Sequence, residues 1–302
     1  MALRGVSTVT LVCALLGSGA VCAAEKEFNR SFDVSSGGRL SVNIEGGQIV
    51  VSGADANRVV VRMRAKGSEE RLEKVTMSAD SNADGVTVVG KRDRGDQLFG
   101  WFGSDVNISV TIEVPREYNL DLHTSGGDIS VRQVNGTAVG RTSGGRVNLE
   151  SIRGDVRMRT SGGRMDARSI QGALELETSG GTITASNIDG RVRANSSGGS
   201  IRLEQVSGAV DAHTSGGSIN IQLAGKNEGI VAKTSGGSIS LRVPSSVAGD
   251  LNASTSGGRV STDITLTSSD VGKSSLRGKL NGGGPEILAR TSGGSIQIVS
   301  GT

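Results

Sequence analysis

The chain has 302 residues and a formal net charge of +3, with 47 glycines but only one Trp, one Tyr and four Phe. So few rings exclude a conventional core of bulky aromatic side chains, and the composition predicts a thin core of small aliphatic residues. The small net charge and the shortage of rings for base stacking also argue against a nucleic-acid-binding protein.

The first 24 residues are typical of a secretory signal peptide. Arg4 provides a basic start, residues 6–16 form an apolar run, and small residues offer a cleavage site after Ala23 or Ala24. The apolar run is too short to span a membrane, and no later segment is apolar enough to do so. Both cysteines, Cys13 and Cys22, lie inside this segment. We therefore expect an exported mature chain without disulfides.

Residues 25–117 are predicted to form an N-terminal β region with irregular coils. Apolar and polar residues alternate from 28 to 63 around Gly-Gly pairs, as in short strands joined by tight turns. The polar run 68–74 breaks this pattern and predicts a short helix capped by Ser68. Further strands are expected at 75–79, 86–91 and 106–114, the last ending at Pro115. Between the last two lies a hairpin insertion that holds the only tryptophan.

From residue 118 to 302 the tetrapeptide Thr-Ser-Gly-Gly recurs. Its serine returns every 18 residues from Ser125 to Ser215, and the later gaps are 20, 21 and 36 residues. A fixed period of this length is typical of a solenoid, in which each repeat forms one coil. The sequence therefore predicts an all-β parallel β-solenoid of about 18-residue coils. The motif residues expected to form its turns and ladder are Thr124, Gly126, Gly127, Thr142, Gly144, Gly145, Thr160, Gly162, Gly163, Thr178, Gly180, Gly181, Thr214, Gly216 and Gly217.

Numbering each coil from the motif serine as position 1 separates inward from outward positions. Aliphatic residues recur at positions 5, 7, 10, 14 and 16, which predicts two short strands per coil. Glycines at positions 2, 3 and 12 are expected at corners, where glycine reaches positive φ without steric cost. The threonine at position 18 shares the parity of inward positions and is expected to bond other threonines and the turn amides. Outward charges at positions 8 and 15 mostly alternate in sign, which indicates coils stacked in register about 4.8 Å apart.

The end of the chain carries the resemblance to a known family. The TSGG strands, the N-terminal strands with a short Glu-rich insertion, and the ending GGGPE-x-x-x-RTSGGSI resemble the bacterial putative adhesin family. The resemblance covers almost the whole mature chain. It implies a β-solenoid in the cell envelope and brings no catalytic residues.

The sequence indicates no catalytic residue, metal site or cofactor. The only histidines, His123 and His213, both fall at position 17, five coils apart, which is too far for a shared metal ion. Gly272-Lys273-Ser274 lacks the earlier glycine of a phosphate-binding loop, and no coil carries a calcium-binding nonapeptide. The outward acids lie among arginines in a charge-balancing pattern. This pattern favours a non-enzyme over a catalytic carboxylate pair.

The candidate partner-binding residues are Phe99, Trp101 and Phe102. Two roles are open for them: docking on a peripheral membrane interface or a partner, or covering an end of the solenoid. Otherwise, function is to be sought on the variable outward positions between the corners. We expect an exported, non-enzymatic scaffold or adhesin-like binding protein of the periplasm or cell surface, with an envelope protein or polysaccharide as partner. An accessory factor in envelope-stress signalling and a carbohydrate-active β-helix enzyme are the alternatives.

Overall fold

The computed structural model describes residues 8–12, 24–93 and 106–301. The chain divides into two compact units, Met1–Gly145 (unit 1) and Arg146–Thr302 (unit 2). The described residues lie mostly in strands, so the predicted all-β fold is confirmed. The single helix in these ranges is Glu69–Glu73 (α1), and none there is long and apolar enough to cross a membrane. The predicted boundary at 117–118, where the regular repeat begins, stays a prediction.

Unit 1 contains two sheets, and the chain passes repeatedly from one to the other. Its strands are Thr8–Val12 (β1), Ala24–Asp33 (β2), Arg39–Ile44 (β3), Gln48–Ala54 (β4), Arg58–Gly67 (β5), Val75–Asn82 (β6), Gly85–Arg92 (β7), Asn107–Pro115 (β8), Asn119–Thr124 (β9), Ile129–Asn135 (β10) and Ala138–Arg141 (β11). Sheet 1 has the order β1-β2-β5-β8-β4-β10, and sheet 2 has the order β6-β7-β3-β9-β11. The strands predicted between 75 and 114 are therefore confirmed as β6, β7 and β8. Strand β1 lies within the predicted signal peptide, whose residues 1–7 and 13–23 are outside the described ranges.

Unit 2 continues the same alternation. Its strands are Val147–Arg153 (β12), Val156–Thr160 (β13), Met165–Gln171 (β14), Leu174–Thr178 (β15), Ile183–Asp189 (β16), Val192–Ser196 (β17), Ile201–Ser207 (β18), Val210–His213 (β19), Ile219–Leu223 (β20), Ile230–Lys233 (β21), Ile239–Pro244 (β22), Gly249–Thr255 (β23), Val260–Thr262 (β24), Thr267–Val271 (β25), Ser275–Leu280 (β26), Glu286–Thr291 (β27) and Ile296–Gly301 (β28). Sheet 1 of this unit has the order β12-β14-β16-β18-β20-β22-β28-β24. Sheet 2 has the order β13-β15-β17-β19-β21-β27-β23-β26-β25.

Within unit 2 the coils stack in register as parallel strands. Position 5 of each coil pairs with position 5 of the next, and the same holds for position 14 in sheet 2. Outward charges at position 15 meet across neighbouring coils: Arg157 Nε lies 2.7 Å from Glu175 Oε2, and Arg193 Nη2 lies 3.3 Å from Asp211 Oδ2. The predicted parallel stack with alternating charges is therefore confirmed.

A sharp bend at position 9 shapes each regular coil. The residue there has a left-handed backbone, with φ between 54 and 58°, so positions 8 and 9 both face outward before position 10 turns in. These residues are Gln133, Ser151, Ser169, Asn187 and Gln205. The glycines at position 12 adopt φ of 135 to 155°, as predicted for a corner. The inward positions hold buried aliphatic residues throughout.

The coils at both chain ends do not stack in chain order. In unit 1, the coil of β3 and β4 lies between the coil of β7 and β8 and that of β9 and β10. In unit 2, the last coil, β27 and β28, lies between the coil of β21 and β22 and that of β23 and β24. Antiparallel strands follow beyond both: β5, β2 and β6 in unit 1, and β26 and β25 in unit 2. Each inserted coil therefore has a neighbour on both sides.

Two cations of β2 cover the edge strand β6 in unit 1. Lys26 Nζ donates a hydrogen bond to Val75 O at 2.8 Å, and Arg30 Nη1 donates to Ala79 O at 2.8 Å. Inward-pointing charges of this kind protect a sheet edge from further strand pairing. Helix α1 packs between β2 and β6 through Leu72, which is 2% exposed. The predicted helix is confirmed, but Ser68 caps it through its backbone carbonyl and not through its side chain.

Candidate functional site

The threonine of the TSGG motif is a buried structural residue. Thr178 Oγ1 donates to Gly163 O of the preceding coil at 3.1 Å and accepts from Gly181 N of its own turn at 3.1 Å. Thr214 repeats this pattern with Gly199 O at 2.8 Å. The predicted inward direction and the bond to the turn amide are therefore confirmed. The predicted bonds between threonines are wrong, because hydroxyls of this row donate to a glycine carbonyl of the neighbouring coil in the stack.

The two glycines of the motif have different roles, and neither needs positive φ. Neither position appears among the positive-φ glycines, so that predicted reason is wrong. A Cβ on Gly181, at position 3, would lie 1.8 Å from Gly163 O, so close stacking requires glycine there. A Cβ on Gly180, at position 2, would have only ordinary contacts, the nearest at 3.8 Å. The fold therefore requires the motif mainly for the threonine at position 18 and the glycine at position 3.

On the outer face of sheet 2, charged side chains of neighbouring coils are paired with each other. Besides the two pairs at position 15, Arg159 Nε lies 2.9 Å from Glu177 Oε2 of the next coil, and within strand β19 His213 Nδ1 lies 2.8 Å from Asp211 Oδ1. Side chains held in such pairs have fewer free hydrogen-bonding groups for a ligand. This face therefore contributes to the cohesion of the stack.

The outer face of sheet 1 in unit 2 is different, because its polar groups are largely unused. Two of its outward rows, at positions 6 and 8, contain eight neutral amide and hydroxyl residues, which define what we call the hydroxyl–amide face: Asn148, Thr184, Ser186, Asn220, Gln222, Ser240, Ser261 and Gln297. None of their side chains makes a hydrogen bond within the described residues. The face crosses the eight strands of the sheet, a length of about 34 Å at about 4.8 Å per strand.

The charged residues on the same rows are of both signs. They are the arginines Arg168, Arg202 and Arg242 and the carboxylates Glu150, Asp166, Glu204 and Asp263. Asp166 Oδ1 lies 3.0 Å from Arg164 Nε, and Glu204 Oε1 lies 3.8 Å from Arg202 Nη1. The two rows therefore have no excess of positive charge.

Two of the grooves elsewhere on the surface are lined by ion-paired residues. One, of about 800 Å³, lies on sheet 1 of unit 1, where Arg62 and Arg64 are paired with Glu113 and Glu27 at 2.7 and 2.8 Å. The other, of about 460 Å³, lies on sheet 2 of unit 2 over Ala173, with ion-paired walls. Most of the charged groups in both grooves are already satisfied within the chain.

Residues 38–299 match the family described as Toastrack DUF4097. The match covers most of the chain, including both units. The chain belongs to the Toastrack family. This match confirms the resemblance to a putative adhesin family that the TSGG strands and the chain ending indicated.

Several solved structures are similar to this Toastrack chain. A putative adhesin from Bacteroides fragilis is 14% identical, with 90% of this chain and 97% of that chain covered and a TM-score of 0.43. A putative lipid binding protein from Parabacteroides distasonis is 12% identical, with 91% and 97% covered and a TM-score of 0.36. A putative cell adhesion protein from Clostridium sporogenes is 13% identical, with 92% and 100% covered and a TM-score of 0.25. No curated protein matches the chain. At these scores the fold assignment depends on the strand pairing and the family match.

The predicted partner-binding residues Phe99, Trp101 and Phe102 lie outside the described residues of the Toastrack chain. The strands that flank them are described, however. The segment 93–106 connects β7 of sheet 2 to β8 of sheet 1, which is the corner where a TSGG turn connects β9 to β10 in the regular coil. In chain order, the aromatic insertion therefore stands between a strand of sheet 2 and a strand of sheet 1, as the TSGG motif stands between β9 and β10. Whether it docks or caps stays a prediction.

The remaining candidates do not come together as a catalytic or metal site. His123 and His213 belong to different units and both lie at outward positions of sheet 2. Within the described ranges no group of three or more His, Cys, Asp or Glu side chains is placed to hold a metal ion. Sequence reasoning pointed to outward positions in general but missed the hydroxyl–amide face. The signal was present in the neutral residues that recur at position 6.

Proposed function

We propose that this Toastrack protein is an exported, non-enzymatic binding protein of the cell envelope, and that the hydroxyl–amide face of unit 2 is its binding surface. The carrying observation is the contrast between the two outer faces. On sheet 2 most outward residues are charged and several of them form ion pairs, whereas two rows on sheet 1 present eight neutral amides and hydroxyls that have no partner within the described chain. Exposed donors and acceptors without internal partners are the groups that a ligand can engage at no cost in broken internal bonds.

Three features support a long ligand over a small one. The face is about 34 Å long, it repeats at about 4.8 Å, and neither groove described above lies on it. A regular row of weak contacts gives useful affinity only when many are made together. We therefore expect an extended polymer that lies along the stack.

A three-residue variant tests this role directly. Thr184→Val, Asn220→Ala and Ser240→Ala together remove hydrogen-bonding groups from three coils without touching the core. The matched control, Asn195→Ala, Asn252→Ala and Ser254→Ala, removes similar groups from the outer face of sheet 2. Each lost hydrogen bond is worth about 0.5–1.5 kcal/mol. We therefore expect the face variant to bind envelope material with an affinity at least about tenfold lower than that of the wild type.

The measurement is retention of an envelope fraction from the producing bacterium on immobilised wild type, face variant and control. Circular dichroism checks that all three fold alike. Equal retention by wild type and face variant would remove the face from the proposal. Export itself is tested by the mass of the periplasmic or secreted chain, which should begin after Ala23 or Ala24.

A further inference from the structure

We infer that the ligand of the hydroxyl–amide face is an uncharged polysaccharide chain. This inference rests on the proposed function, because it names the ligand class of the same face. It is carried by three properties of the two outward rows: their charge balance, the chemistry of their free groups and their lack of apolar anchors.

The charge balance of the face disfavours a polyanion. Its three arginines are interspersed with four carboxylates, Glu150, Asp166, Glu204 and Asp263, so a run of ligand anions would meet a carboxylate within a coil or two of each arginine. Like charges at such separations repel, and no excess of positive charge offsets the repulsion. Acidic polysaccharides and nucleic acids are therefore poorly matched to this face, and a neutral chain meets no such penalty.

The absence of anchors on the face disfavours a protein partner. Binding energy in protein interfaces is concentrated in buried aromatic residues, arginines and apolar contacts at the centre of the patch. The two rows contain no aromatic residue, and Val299 at the end of position 8 is their one aliphatic member. A protein docked here would bury polar groups without an apolar centre to offset their desolvation.

The free groups suit a ligand rich in hydroxyls. The Asn220 and Gln222 amides each offer donors and acceptors, and the Thr184 and Ser240 hydroxyls can serve as either. Sugar hydroxyls have the same dual capacity, so each contact can form without a fixed charge on either side. The repeat of the coils presents such groups again on each strand, which suits a polymer that repeats its own hydroxyls.

The test uses three probes prepared from the envelope of the producing bacterium. These are its protease-treated neutral polysaccharides, its protease-treated acidic polysaccharides separated by anion exchange, and its polysaccharide-free protein fraction. Each is titrated against the full chain, the three-residue face variant and the sheet 2 control, in 0.05 and 0.5 M NaCl chosen to span roughly one order of magnitude in ionic strength. We expect the neutral fraction to bind wild type and control with less than about a twofold change between the two salt concentrations, and the face variant to bind at least about tenfold more weakly.

The outcomes separate this inference from the proposed function. If the face variant loses binding but the bound material is the protein or acidic fraction, or the affinity falls about tenfold with salt, the face is a binding surface and the inferred ligand class is wrong. If no fraction binds in a manner that depends on the face, both the inference and the proposed function fail. Unfolding midpoints of the three proteins show whether a loss of binding reflects a loss of folding.

Discussion

At position 3 of the regular coils, a Cβ atom would overlap the backbone of the coil before it. At Gly181 the overlap is with Gly163 O at 1.8 Å, and at Gly199 it is with Gly181 O at 1.8 Å. Position 2, one residue earlier, has no such overlap at Gly180. Two adjacent glycines that look alike in sequence therefore differ sharply in what the fold requires of them.

This difference predicts opposite results for two neighbouring alanine substitutions. Gly181→Ala should lower the free energy of unfolding by about 1–3 kcal/mol, because the coils must move apart to admit the methyl group. Gly180→Ala should change it by no more than about 1 kcal/mol, in the stabilising direction if the unfolded chain loses freedom. Urea unfolding of both variants makes the comparison. Similar losses for the two would contradict the steric account.

Tyr118 is the only tyrosine of the chain and lies buried at the start of the regular coils. Its hydroxyl has no hydrogen-bond partner among the described residues, and its ring fills the space that a side chain on Gly38 would occupy. Burial raises the pKa of Tyr118 above its ordinary value of about 10. The folded state therefore favours the neutral phenol.

The sign of the pH effect follows from that raised pKa. The stability contributed by neutral Tyr118 is fully present below about pH 10 and is lost as the pH rises through the folded-state pKa. Tyr118→Phe should therefore keep its stability at alkaline pH while the wild type loses it, and should cost little at neutral pH because an unpaired hydroxyl is removed. The ultraviolet absorbance of tyrosinate, recorded beside an unfolding signal as the pH is raised, reports the ionisation of this one tyrosine. Tyrosinate forming at the ordinary pKa without unfolding would refute the burial argument.

At the scale of the coil, the threonine hydroxyl connects each turn to the turn before it. The same arrangement recurs at Thr234 and Thr291, which donate to Gly217 O and Gly237 O at 2.8 and 2.7 Å. Since the donor and acceptor are both buried, the hydroxyl satisfies a carbonyl and an amide that would otherwise have no partner. Removing one of these hydroxyls should therefore lower the free energy of unfolding more than removing an exposed hydroxyl does.

Two Thr→Val substitutions, in the consecutive strands β15 and β16, test this role of the buried hydroxyl. Thr178→Val leaves Gly163 O and Gly181 N unpaired, and each unsatisfied buried group costs about 1–3 kcal/mol. Thr184→Val, on the outward row of the next strand, should be within about 0.5 kcal/mol of wild type. Thermal and urea unfolding compare the pair. If both variants are equally stable, the threonine ladder does not hold the coils together.

The coil itself could be predicted well from sequence, because its period and inward aliphatics leave one register. The bend at position 9 could not, since Ser169 or Gln205 in left-handed backbone look like ordinary strand residues in a sequence. The reason for glycine at position 3 was also hidden, because it comes from the neighbouring coil. The hydroxyl–amide face could not be predicted either, because only the hydrogen bonds of the folded chain show which outward groups already have partners.

At the scale of the whole molecule, the first coil of unit 1 (β3 and β4) and the last coil of unit 2 (β27 and β28) each lie one position inside the stack of their own unit. The gap of 36 residues before the last TSGG motif equals two periods, so spacing alone is consistent with a plain continuation of the chain. The pairing shows instead that β27 lies between β21 and β23. Sequence cannot reveal this order, because all inward positions carry similar aliphatic residues and fit any neighbour.

The inserted coil predicts an unusual pattern of amide exchange. In a simple linear array the last repeat frays first, since it has one neighbour. Here the amides of Glu286–Thr291 should be protected like those of Ile230–Lys233, and should exchange at least about tenfold more slowly than those of the edge strand Thr267–Val271. Hydrogen exchange with mass spectrometry resolves the three segments. Fast exchange across Glu286–Thr291 would contradict the inserted order.

In this protein the corners hold the coils together, and the hydroxyl–amide face is the proposed binding surface. The most direct test is the affinity of envelope material for the variant Thr184→Val, Asn220→Ala, Ser240→Ala, measured beside its unfolding midpoint. The account predicts an affinity at least about tenfold below wild type with an unchanged midpoint, and no loss for the sheet 2 control. Wild-type affinity in the face variant, or an equal loss in the control, would contradict it.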